Sequence, residues 1–166
     1  MSQWTREELV EAFETFQEAG RHAAATGDWE PWVQCFTPDA SYVEHAYGRF
    51  SGHDEIRTWV NRTMTSFPGN EMTGYPMLWF TVDVEKGWII TEVDNPMRDP
   101  GDGSVHSMTN LTILRYGGGG KWREEEDVYN PMEFFEMAKG FVRRSHELGT
   151  LSADGRAWAE KFGITL

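Results

Sequence analysis

From Leu78 to Tyr129 the chain runs through segments that alternate apolar and polar residues, and tight turn signals join them in pairs. Leu78, Phe80, Val82 and Val84 mark the first segment. Glu85-Lys86-Gly87 is a hairpin signal, and Trp88–Asp94 returns from it. Asn95–Ser104 holds two prolines and two glycines and reads as a loop at a strand end. Val105–Tyr116 is a long strand, Gly117–Gly120 a flexible turn, and Trp122–Tyr129 the last strand. Strands joined by such short turns pair antiparallel. A meander of this kind must lay one face on other elements, so the rest of the chain has to cover it.

The N-terminal third supplies helices for that purpose. Thr5 and Glu8 have capping-box spacing, and Trp4 and Leu9 have the spacing of a hydrophobic staple. Leu9, Phe13, Phe16, Gly20, Ala23 and Ala24 mark one face of a long first helix, broken at Gly27-Asp28. Trp29, Trp32, Val33 and Phe36 fit a short second helix. Ser41–Ala46 reads as a strand, with Gly48 and Gly52 bracketing a turn. Ile56, Trp59, Val60 and Phe67 then place a third helix, ending near Ser66. Pro131 starts another helix carrying Phe134, Phe135, Ala138, Phe141 and Val142, and a final short one spans Ser152–Phe162. The pattern is α+β, with helices on one face of a curved sheet. At 166 residues a single domain is the simplest division. Residues 1–147 form its body, and 148–166 are a helical extension that packs back through Leu151, Ala157, Trp158 and Phe162, caps the pocket or reaches a partner chain.

Charge and composition narrow the function. A net charge of −12 argues against nucleic acid or an anionic membrane as partner. The longest apolar run is too short to span a bilayer, no apolar signal segment opens the chain, and the expected compartment is the cytoplasm. The one cysteine, Cys35, lies in an apolar run and reads as a buried, inert thiol. Eight tryptophans are many for this length; most should be core, and a surplus also suits a pocket for a small apolar or aromatic ligand.

Three strands place acidic residues at period two in apolar surroundings: Tyr42-x-Glu44, Glu92-x-Asp94, and the run Glu124–Asp127 followed by Val128-Tyr129-Asn130. Carboxyl groups crowded in a partly apolar cavity separate one another's protonation, so one serves as acid and another as base. Alternating charge on a strand also marks an ordinary solvated sheet face. His45 points opposite to Glu44, and His106 lies near the loop after Asp94. The histidines lack metal-site spacing, and neither a phosphate loop nor a nucleophile elbow occurs. No metal and no cofactor is expected.

Four stretches carry a family resemblance. They are Gly27-Asp28-Trp29, Phe36-Thr37-Pro38-Asp39-Ala40-Ser41-Tyr42, Gly52-His53-Asp54-Glu55-Ile56 and Asp127-Val128-Tyr129-Asn130. Over roughly residues 5–145 the sequence resembles the nuclear transport factor 2-like superfamily, and within it the SnoaL-like group. The resemblance implies a cone-shaped α+β barrel: a bent antiparallel sheet around a pocket, closed by the N-terminal helices. It also implies a homodimer formed through the outer sheet face. Among members, limonene epoxide hydrolases use a tyrosine and an asparagine two apart on the first strand, an Arg-x-Asp in the middle and a last-strand aspartate. Tyr42, Asp94 and Asp127 match, Tyr129 and Phe134 keep their relation to Asp127, and Glu44 and Glu92 replace the asparagine and the arginine. In the ketosteroid isomerase pattern the base falls at Glu44 or His45, and the oxyanion tyrosine falls near Gly20.

The expectation is a cofactor-free acid–base enzyme acting on a small, largely apolar molecule by isomerisation, dehydration, cyclisation or epoxide opening. Asp94 acts as general acid or base, Asp127 orients water or substrate, and Tyr42 donates to developing negative charge. Glu44 and Glu92 tune them, and His45, His106, Trp79, Trp88, Trp122 and Tyr129 are the further pocket candidates. The alternative is a non-catalytic ligand-binding or dimeric assembly module of the same fold.

Overall fold

The computed structural model describes residues 3–166. Among these, α1 (Arg6–Thr26) and α2 (Glu30–Val33) lead into a hairpin of β1 (Phe36–Glu44) and β2 (Gly48–Ser51), and α3 (Gly52–Met64) follows. The meander is β3 (Met77–Asp83), β4 (Trp88–Pro96), β5 (Ser107–Gly118) and β6 (Lys121–Val128), and α4 (Pro131–Glu147) and α5 (Ala153–Lys161) end the chain.

Local chemistry sets these limits. Thr5 caps α1 by accepting from the Glu8 amide at 3.1 Å, and Gly27 ends it with a left-handed φ of 77°. Trp4 packs edge-on against Tyr116, with ring centres 5.0 Å apart. Phe36 is the first residue of β1 rather than the last of α2. Pro38 disfavours helix for the residue before it, so the chain turns extended early. The turn expected around Gly48 contains a short strand, β2, paired with β1 from Ser41–Ser51 to Glu44–Gly48.

The sheet order is β2-β1-β6-β5-β4-β3. The meander is antiparallel throughout, as its turns require. The β1–β2 hairpin joins this meander through β1, which pairs β6 in parallel, with Tyr42 opposite Glu125 and Glu44 opposite Asp127. Short turns dictate only neighbours in sequence, and these two strands are far apart along the chain. The sheet closes over α1, α2 and α3 as the cone that the family resemblance implies. Leu9 of α1, Val33 of α2, Ile56 of α3, Ile89 of β4, Leu114 of β5 and Trp122 of β6 are fully buried between the layers. Each such side chain contributes about 1.5–3 kcal/mol by leaving water.

One irregularity governs the site. On β6, Glu124 faces Arg115 of β5, but the next pair is Trp122 with Tyr116, so Arg123 is an extra residue. The bulge breaks the strand's alternation. Trp122 points into the core, and beyond the bulge Glu125 and Asp127, not Glu124 and Glu126, share its face. Gly117 lies opposite, where a Cβ would come within 2.8 Å of Thr37 and 3.1 Å of the Arg123 Cβ.

A second, smaller core joins Phe67, Met97, Ala138, Phe141, Val142 and Ala159. The Trp158 ring of α5 packs at a tilt on Phe67, with ring centres 5.0 Å apart, and on Phe135 and Phe162, each at 5.1 Å. The extension therefore packs back on α4, through Ala159 rather than the exposed Ala157. No described helix is long and apolar enough to cross a membrane.

Candidate functional site

A cavity of about 640 Å³ lies between the concave sheet face, α1 and residues 73–77. Exposed Arg21, Ala25, Thr73 and Pro76 form its rim. Phe13, Phe16, Trp29, Trp32, Tyr75 and Met77 make apolar walls. Tyr42, Thr91, Asn110, Thr112, Glu125 and Asp127 make a polar floor on the sheet.

Asp127 is the most heavily bonded group there. The Tyr42 hydroxyl donates to its Oδ2. Asn110 Nδ2 donates to its Oδ1 at 2.9 Å, and Thr112 Oγ1 does so at 2.6 Å. Asn95 Nδ2 in turn donates to Asn110 Oδ1 at 2.8 Å, which fixes the amide orientation. Burial pushes the Asp127 carboxyl up to about 6, even though the Thr112 and Tyr42 hydrogen bonds pull it down. Tyr42 is clamped by aromatic contacts, with its ring centre 4.4 Å from Trp59 and 5.9 Å from Trp32. Burial, and then the charge of Asp127, push its hydroxyl well above the usual tyrosine range, so it stays a donor.

Glu125 is the opposite case. It is 4% exposed, its Oε2 is fully buried, and that oxygen has no hydrogen-bond partner among the described residues. Burial, then the neighbouring Asp127, raise its carboxyl well above the ordinary value and favour its protonated form. Glu44 is also buried but is satisfied. It accepts from the amides of Ala46 at 2.8 Å and Tyr47 at 2.7 Å, and burial, then the neighbouring Glu44, raise the Tyr129 hydroxyl.

The structure brings Tyr42 and Asp127 together, with Glu44 and Tyr129 behind them. It does not bring Asp94 or Glu92 to the cavity. On β4 the lining residues are Thr91, Val93 and Asn95, the other parity. Asp94 faces away and accepts from Ser107 Oγ on β5 and from the Asn95 amide. Glu92 accepts from Trp79 Nε1 at 2.5 Å on that outer face. Both parities of β4 begin with isoleucine, Ile89 and Ile90, so hydrophobicity did not separate them.

The tryptophans are likewise placed elsewhere. Trp79 is 44% exposed, and Trp88 lies beside Arg115, 4.7 Å from its guanidinium. Trp122 is core, edge-on to Tyr116. His45 meets Glu126 at 3.0 Å on the outer face, and His106 packs edge-on to Phe141 in the second core. Cys35 is buried, and burial raises its thiol.

Glu125, Thr91, Asn95, Asn110 and Thr112 are the floor residues that sequence reasoning missed. Glu125 stood within the acidic run, but alternation counted from Trp122 selects Glu124 and Glu126. Gly20 lines the cavity and leaves open space where the isomerase tyrosine would stand. Among the described residues no three His, Cys, Asp or Glu side chains converge to hold a metal ion.

The comparisons with known proteins agree with this architecture. The SnoaL-like domain model matches residues 9–125, and the chain belongs to that family. An LEH-like epoxide hydrolase from M. tuberculosis superposes with a TM-score of 0.63 at 13% identity, covering 89% of this chain and 96% of that one. A SnoaL-like protein from Jannaschia sp. CCS1, described as a polyketide cyclase, gives 0.62 at 13% identity, covering 82% and 96%. An NTF2-like protein from Anabaena variabilis ATCC 29413 gives 0.58 at 15%, covering 78% and 95%. At these identities the likeness is one of fold. No curated protein matches the sequence significantly.

Proposed function

We propose that the protein is an acid–base enzyme acting on a small, largely apolar molecule held in the cone cavity. The observation that carries this is Asp127: a carboxylate on the cavity floor, held by Tyr42, Asn110 and Thr112, with its pKa raised to about 6. A base poised near the working pH, in a fixed orientation, is what proton abstraction or water activation needs. Protonated Glu125, two residues along the same strand face, supplies the matching acid. Isomerisation, dehydration, cyclisation and epoxide opening all fit this pair. The epoxide hydrolase and cyclase among the fold relatives belong to the same range of chemistry.

The test is turnover of a panel of cyclic epoxides and β,γ-unsaturated ketones, with products followed by gas chromatography. Asp127→Asn should lower kcat by about 100-fold or more on whichever substrate turns over. Unchanged turnover in that variant would leave the ligand-binding module as the better reading.

We also propose a homodimer. The outer sheet face carries Trp79, Leu111 and Val128, each more than a third exposed. They occupy the surface through which the family resemblance implies pairing, and a second copy would cover them.

A further inference from the structure

The charge balance of the cavity is one-sided. Glu125 and Asp127 lie on its floor with Glu44 behind them, and none of the three forms an ion pair with a Lys or Arg among the described residues. The Lys, Arg or His on the described cavity wall is Arg21 alone, which sits at the rim and is already paired with Glu18 at 2.6 Å. From β4 and β5 the floor receives Thr91, Asn95, Asn110 and Thr112, which are polar but carry no charge. From β1 it receives Tyr42, whose hydroxyl is committed to Asp127. His45 lies on the outer face, against Glu126.

Glu125 is the group that this arrangement leaves unanswered. Its Oε2 is buried without a partner among the described residues, and a buried carboxyl oxygen without one is strongly disfavoured when charged. The walls add a second signal. Trp29, Trp32, Phe16 and Tyr75 surround the space with aromatic rings, whose faces attract cations. An anion would meet like charge here, and a neutral apolar ligand would leave Glu125 as it is. A cation satisfies the floor and the walls together.

We infer that the cavity takes an organic amine, an amino group carried on an apolar body, with the nitrogen at Glu125 and the body between the aromatic walls. The inference rests on the cavity being the functional site, and it names the ligand class. Entry of the neutral amine balances simply. The Glu125 O–H bond breaks, an N–H bond forms, and an ammonium–carboxylate pair remains with no net charge brought into the protein. Asp127, held by Tyr42, Asn110 and Thr112, keeps one Oδ2 lone pair for chemistry on the bound molecule.

The test uses three probes of one shape: adamantylmethylamine, adamantylmethanol and adamantanecarboxylate. Binding to the full chain is read at neutral pH by tryptophan fluorescence, since Trp29 and Trp32 line the cavity. The amine should bind about tenfold tighter than the alcohol, the ratio that 1.4 kcal/mol makes in an equilibrium constant, and the carboxylate should bind most weakly. Glu125→Gln, close in shape, should erase the gap between amine and alcohol. Equal or tighter binding of the alcohol overturns the inference, as does a gap that survives in Glu125→Gln or a failure of the amine to bind saturably. The wild-type comparison stands whether or not the variant folds. An amine preference without turnover of the epoxides and ketones would sink the catalytic reading alone. Turnover of those neutral compounds without an amine preference would sink this one alone.

Discussion

Tyr42 donates to Asp127 across the one parallel strand pair of the sheet, and the bond joins residues 85 positions apart in sequence. It ties the site to the register of β1 on β6, because Asp127 lies one side-chain repeat beyond the residue directly opposite Tyr42. It also holds the Asp127 carboxyl below the value that burial alone would set.

The first prediction follows from that bond. If Asp127 is the base, kcat/KM should rise with pH through a midpoint of about 6. Tyr42→Phe removes a donor that favours the ionised form, so the midpoint should move to higher pH. A pH–rate profile of both proteins measures it. An unmoved midpoint would show that another group limits the rate.

The second concerns stability. The folded Asp127 pKa is raised from 3.8 to about 6, so between these values the native state holds a proton that the unfolded chain has released. Its contribution is therefore favourable at low pH and is lost as pH rises through about 6. Asp127→Asn lacks that dependence. Relative to wild type, the variant should gain up to about 3 kcal/mol between acidic and neutral pH, from about 1.4 kcal/mol per pKa unit. Urea unfolding of both proteins at either end of the range would show it, and parallel curves would refute it.

The third tests parity on β4. Asp94 and Glu92 point away from the cavity, so Asp94→Asn and Glu92→Gln should leave kcat within about twofold of wild type, since surface changes of this kind are usually small. A large loss on either substitution would return them to the catalytic machinery.

The fourth concerns the second core. Phe141 is fully buried against Phe67 and beside Arg98. Phe141→Ala should cost about 3–5 kcal/mol in urea unfolding. A loss below about 1 kcal/mol would mean that α4 is not cooperative with the cone.

The fifth concerns assembly. Light scattering on a sizing column should give a dimer, and Leu111→Glu with Val128→Lys should split it. Each copy carries −12, so added salt should strengthen the pairing by screening their repulsion. A wild-type monomer at micromolar concentration would discard the proposal.

Much of the fold was legible because its signals are local. The cap at Thr5, the end at Gly27, the turn before Trp88 and the start at Pro131 each act within a few residues. The parallel contact between β1 and β6 was not legible, since no nearby residue encodes it. Tyr42 and Asp127 stood on the acidic strands that alternation singled out, the family resemblance matched them, and both line the cavity. Asp94 was assigned in the same way and did not, because facing depends on parity, and β4 is apolar at the start of both. Glu125 was hidden by Arg123, an exposed residue whose sequence carries no sign of a bulge.

That bulge bears on how the last strand tolerates error. Residues 124 to 127 are all acidic, so a one-residue slip that brought Glu124 and Glu126 to the places of Glu125 and Asp127 would still turn two carboxyls inward. What a slip would not preserve is the reach of the second inward group, since glutamate is one carbon longer than aspartate. The chain length at position 127, rather than its charge, is what the frame protects.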